Sequence, residues 1–206
     1  MNSVTHGVGA ILCLLGAWAL TGKCLASGRH RVPCAVYATS LCTLYLASTV
    51  YHSCFMLPRR VKDVLHFMDK TAIYLLIAGS YTPFLVVLFP DKPEWSVWLL
   101  SFVWAVALVG ISAAFVIPTG NPVKPKVSLA MYLGMAYSGL LVMRDAHARL
   151  PDSALALVIG GGVAYTAGVP LFVRNRNLDH AMWHLFVLAG SALHFACIYF
   201  YLAEMP

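Results

Sequence analysis

Residues 185–202 contain no Asp, Glu, Lys or Arg. As a helix, this stretch is about 27 Å long, close to the hydrocarbon thickness of a bilayer. An uncharged segment of that length directs the chain into a membrane. Six more apolar runs precede it, and together they predict helices over 4–26, 32–57, 66–89, 95–117, 127–143, 154–173 and 181–202. At roughly 20 residues per crossing, the 206 residues suffice for seven crossings joined by short loops, with nothing left for a soluble domain. The expected fold is an all-α integral membrane protein, a seven-transmembrane helix bundle forming one domain over 1–206. Composition agrees: only 11% of residues are charged, against about a quarter in a soluble domain, and mean hydropathy is +0.77.

The formal charge of +6 suits basic loops facing anionic lipid headgroups. No long basic run is present, which argues against a nucleic-acid partner. The first Lys or Arg is Lys23, so the basic start of a cleavable signal is missing. None of the six cysteines forms a C-x-x-C pair; most lie inside apolar runs, as small buried residues do. Within the runs, Pro83 is expected to kink the third helix, with Ser80 and Thr82 satisfying freed carbonyls. Trp95 and Trp98 suit an interfacial belt. The small residues Gly134, Ala136, Ser138 and Gly139 suit close helix contact, and 144–152 reads as a charged loop.

Just ahead of the uncharged stretch stand His180 and His184. Four residues apart on a helix, they share one face, one turn above the other. Two imidazoles so spaced can grip a metal ion, but a site needs a third ligand. Because successive crossings alternate in direction, the starts of odd helices and the ends of even ones meet at one face of the membrane. His6, Ser48, His52, Asp69, His180 and His184 all fall at such places, whereas randomly scattered polar residues would occupy both faces.

A lone buried histidine is ordinarily just hydrogen-bonded. Three together, His52, His180 and His184, are the donor set of a catalytic zinc that keeps a fourth position for water. Zinc brings such a water's pKa to about 7. Asp69 is then placed to accept its proton, or to orient a ligand imidazole. Adjacent helix residues do not face each other, so Lys70 is not the expected partner of Asp69. Ser48, one turn before His52, either bonds the water or a substrate oxygen, or back-bonds the carbonyl four residues earlier. His6 is expected at the rim of the site, and His66 is a candidate outer partner. His194, about 15 Å deeper along its helix, is expected to make an interhelical hydrogen bond. His30 and His147 belong to loops at the other face.

The segments Asn2-Ser-Val-Thr-His6, Ser48-Thr-Val-Tyr-His52, Asp69-x-x-Ala-Ile-Tyr-x-Leu-Ile-Ala-Gly-Ser-Tyr-Thr-Pro83 and His180-Ala-Met-Trp-His184 resemble the bacterial hemolysin III-like proteins. Those group with the progestin and adiponectin receptors (the PAQR family) and are related to alkaline ceramidases. The resemblance runs almost end to end. It implies seven helices in the bacterial inner membrane, a cytoplasmic N-terminus and an outside C-terminus. It also implies zinc on His52, His180 and His184, with Asp69 and Ser48 beside the metal-bound water. The basic residues lean the same way: seven (Arg59, Arg60, Lys62, Lys124, Lys126, Arg174, Arg176) lie on the N-terminal side and six on the other. Relatives usually carry an acidic segment ahead of the first motif, which here stands at Asn2, so the role of an upstream Glu stays open. The implied chemistry is hydrolysis of a lipid amide, with a membrane lipid or free fatty acid as partner. Two other classes remain: a hemolysin-type pore, and a lipid-sensing receptor with a structural zinc.

Overall fold

The computed structural model describes residues 2–54, 56–174, 176 and 178–205; Phe55, Asn175, Asn177 and the side chain of Asn2 lie outside the described residues. The chain is almost wholly helical: α1 Asn2–Ser27, α2 Arg31–Ser53, α3 Arg59–Leu88, α4 Pro93–Val116, α5 Val123–Ser138, α6 Met143–His147, α7 Asp152–Arg174 and α8 Asp179–Cys197. A 3₁₀ turn, Gly139–Val142, joins α5 to α6, and a π turn, Ile198–Leu202, extends α8. Seven spans are long and apolar enough to cross a membrane; the fifth is Val123–His147, made of α5, the 3₁₀ turn and α6. The protein is therefore a seven-helix membrane bundle.

Several helices outrun their apolar stretches. α3 begins at Arg59 rather than near 66, because backbone hydrogen bonding continues into the charged segment beyond the bilayer's apolar layer. Asp69 thus sits about three turns into its helix, not one. Residues 144–147, expected in a loop, are helical. α8 starts at Asp179, the acidic residue that its N-terminal dipole favours. Pro83 lies inside α3, but Ser80 and Thr82 donate to the carbonyls of Leu76 (2.7 Å) and Ala78 (3.1 Å), not to that of Gly79. Of the small residues in the fifth span, Gly134 faces open space, whereas a Cβ on Gly139 would press on Tyr81.

α2 packs between α1 and α3, α8 packs against α7 and α1, and α3 also meets α4 and α5. Two apolar cores result. One is built around Leu20, Tyr37, Leu41 and Tyr45 with Ile198, the other around Tyr74, Leu85, Leu99, Val103, Met135 and Leu202. Outward-facing Trp18, Phe115 and Phe200 are 79%, 80% and 68% exposed, as lipid-facing residues are when no lipid is counted. Trp95 and Trp98 are exposed at the start of α4. Cys13, Cys24, Cys34 and Cys197 are buried free thiols. His194 bonds the Val158 carbonyl across the α7–α8 contact at 3.1 Å. The arrangement brings the starts of α1 and α8 and the end of α2 to one end of the bundle.

Candidate metal centre

α8 is fixed before its histidines begin. Asp179, almost wholly buried, receives two hydrogen bonds from the Arg174 guanidinium (2.7 and 2.6 Å) and one from the backbone N–H of Arg176 (2.9 Å). This bidentate clamp ties the end of α7 to the first turn of α8, which carries His180, with His184 one turn further on. Across from them, His52 lies in the last turn of α2. Its backbone carbonyl accepts a hydrogen bond from Ser3 of α1 at 3.0 Å.

The three imidazoles meet. Each offers one ligand atom, and these atoms lie within 4.8 Å of one another. Ring centroids stand 5.1 Å apart for His52–His180, 5.0 Å for His52–His184 and 4.6 Å for His180–His184. Nitrogens bound at about 2.0–2.1 Å around a tetrahedral ion are about 3.3 Å apart. The Nε2 atoms of His52 and His180 are already 3.3 Å apart. His184 is oriented by Thr5, whose hydroxyl lies 3.2 Å from Nδ1. If Nδ1 carries the proton given to Thr5, Nε2 keeps its lone pair for a metal. The donor set therefore fits a metal ion, and among the described residues these three histidines form a group able to hold one.

Around the triangle lie buried polar atoms without protein partners. His6 is buried and stacks on His184 with ring centroids 3.5 Å apart, so it belongs inside the site rather than at its rim. Neither of its ring nitrogens has a hydrogen-bond partner among the described residues. The Ser48 hydroxyl, 1% exposed, makes no back-bond to the carbonyl four residues earlier and stands beside the Asp69 carboxylate. Orphaned polar atoms are costly in a membrane interior, and the two on His6, stacked against the triangle, point to a polar occupant.

Asp69 is buried close to Ser48, His52 and His6. Contrary to the neighbour rule for helices, it pairs with Lys70: Nζ stands 3.4 Å from Oδ2. The long lysine stem folds back far enough to reach it, and its ammonium lies 5.2 Å from the centroid of the Phe172 ring. A buried carboxylate needs such a counter-charge. His66 is separated from the triangle by Tyr51, whose ring lies 5.3 Å from that of His66 and 4.8 Å from that of His52. Sequence reasoning passed over Thr5 and set Lys70 aside as a partner for Asp69. Thr5 stood in a quoted motif beside His6, but which histidine it would serve depends on how α1 leans on α8.

Residues 1–195 match the family described as Haemolysin-III related. The chain is 34% identical over 210 residues to the Hemolysin-3 homolog of Bacillus subtilis (strain 168), covering 100% of this chain and 94% of that protein. It is 34% identical over 206 residues to Hemolysin-3 of Bacillus cereus, covering 97% and 90%. With the monocyte to macrophage differentiation factor of Homo sapiens it shares 29% over 210 residues, covering 100% and 84%.

Proposed function

The chain belongs to the haemolysin-III-related family, and on that footing we propose that it is an intramembrane zinc-dependent hydrolase of lipid amides. The observation that carries this reading is the triangle of His52, His180 and His184, flanked by a buried carboxylate and by His6, whose ring nitrogens have no partner among the described residues. A site meant only to staple helices would close its polar shell. Zinc, when bound, lowers the pKa of a coordinated water to about 7 and polarises a carbonyl.

The chain's own residues do the rest. Asp69 accepts the proton of the attacking water, and Lys70 balances its charge. The Ser48 hydroxyl and the protonated ring nitrogen of His6 donate hydrogen bonds to the carbonyl oxygen as charge develops on it. The carbon–nitrogen bond then breaks, the amine leaves with the proton that Asp69 held, and a free fatty acid remains. The apolar faces of α2, α3 and α8 hold the acyl chain and exclude bulk water. In this reading the N-terminus is cytoplasmic and the host membrane is a bacterial inner membrane; the small excess of basic residues on the N-terminal side and the bacterial relatives support both.

The test is release of free fatty acid from a panel of lipid amides, read by mass spectrometry with and without a chelator. Release that requires the metal and is abolished by Asp69→Asn with metal retained supports the reading. Release that survives Asp69→Asn removes Asp69 from the mechanism, and no release from any amide overturns the hydrolase. The name of the Bacillus cereus relative, Hemolysin-3, favours a second reading, membrane lysis, which predicts liposome leakage that outlasts loss of Asp69.

A further inference from the structure

Beside the imidazole triangle, separated from it by Tyr51, an open pocket of about 560 Å³ lies between the end of α2, the first two turns of α3 and the loop that joins α4 to α5. Its wall includes Arg59, Lys62, Asp63 and His66 from α3, Tyr51 from α2 and Thr119 from the loop. Arg59 and Lys62 form no ion pair among the described residues, and neither does Asp63. That contrasts with Lys23, Lys92, Arg149 and Arg174, each of which reaches a carboxylate.

We propose that this pocket binds a phosphomonoester, with Arg59 and Lys62 on its oxygens. Two cations outweigh the single carboxylate, leaving a net positive wall at the level of the membrane surface. The pocket, though open to solvent, has room for a small molecule. Arginine offers a planar fork of donors and lysine a point charge, a pair suited to an anion with several oxygens. Tyr51 and Thr119 add hydroxyl donors, and His66 a ring N–H. The first turn of α3 holds Arg59 and Lys62 and no acidic residue, so its cations oppose the helix dipole, a cost that a bound anion offsets. Asp63 lines the same wall and can accept a hydrogen bond from the protonated oxygen of a singly ionised phosphate. The ligand chemistry is the same whether the phosphate heads a membrane lipid or belongs to a soluble ester.

The experiment uses the full chain in phosphatidylcholine nanodiscs doped with phosphatidic acid, or with phosphatidylglycerol at matched surface charge. Retained lipid is read by native mass spectrometry. The proposal predicts several-fold preferential retention of phosphatidic acid, its loss in the Arg59→Gln/Lys62→Gln variant, and no change in Arg144→Gln at the other end of the bundle. Glycerol phosphate, titrated into phosphatidylcholine-only discs, separates the sources: binding there that the double variant loses assigns a soluble ester, and retention of phosphatidic acid alone assigns a lipid. Equal retention of the two lipids with no glycerol phosphate binding means diffuse surface attraction and overturns the proposal. So does phosphate binding that the double variant keeps. Metal content of the double variant checks that it is folded. Repeating the measurement after chelation separates this pocket from the metal centre, since phosphate binding here is expected to persist without metal.

Discussion

The two ends of the bundle treat polar groups in opposite ways. Away from the imidazoles, ion pairs tie surface segments together: Arg149 forks onto Asp91 at 2.6 and 2.8 Å and also reaches the Leu88 carbonyl, Lys92 meets Asp145 at 3.1 Å, and Lys23 meets Glu204 at 3.4 Å. Lys23 also donates to the Tyr199 carbonyl at 2.8 Å, inside the π turn whose altered bonding leaves that oxygen within reach. These contacts fasten loops and helix ends. At the imidazole end, Asp69 and Asp179 are buried with their counter-charges, and among the described residues the ring nitrogens of buried His6 find no partner. A buried imidazole left open against the triangle has been kept for something other than stability.

Paired substitutions test that contrast. The largest effect is expected at the carboxylates: Asp69→Asn lowers fatty-acid release by about 10²–10⁴-fold, the usual contribution of a general base, whereas Asp91→Asn leaves it unchanged. Turnover per bound metal is the measurement. Next comes Thr5→Val, which removes the hydroxyl orienting His184; metal affinity, titrated with a competing chelator, is expected to fall about 10–100-fold with the fold intact. An unchanged affinity would strip Thr5 of that role.

The third pair lies in the run Gly160-Gly161-Gly162. A Cβ on Gly161 would collide with the His194 ring, whereas Gly162 faces open space. Gly161→Ala is therefore expected to cost about 1–3 kcal/mol by overpacking, and Gly162→Ala to be neutral, read as thermal stability in detergent. The smallest effect belongs to the far end. The Arg149 guanidinium hydrogen-bonded to Asp91 holds that carboxyl below its usual range. Its contribution is present above the ordinary carboxylate pKa and is lost as pH falls through the lowered one. Arg149→Gln should flatten that small acid limb in melting temperature between neutral pH and about pH 3.

Much of this was legible in the chain. Seven crossings followed from charge-free length, and the meeting of His52 with His180 and His184 at one end followed from the order of odd and even helices. What stayed hidden was what apolar periodicity does not encode. The α3 start at Arg59 lies in charged residues that read as loop, though helical hydrogen bonds do not stop where the hydrocarbon does. The Asp69–Lys70 pair defied the neighbour rule because four methylenes let the ammonium swing back. The depth of His6 and the service of Thr5 to His184 depend on how closely α1 leans on α8, which spacing within one helix cannot give.

The most direct test is metal analysis of the membrane-purified protein, coupled to X-ray absorption at the zinc edge. One zinc per chain, with three imidazole nitrogens at about 2.0–2.1 Å and loss of the metal in His52→Ala, is the predicted result. A metal-free native protein, or a metal content indifferent to His52→Ala, His180→Ala and His184→Ala, would contradict it.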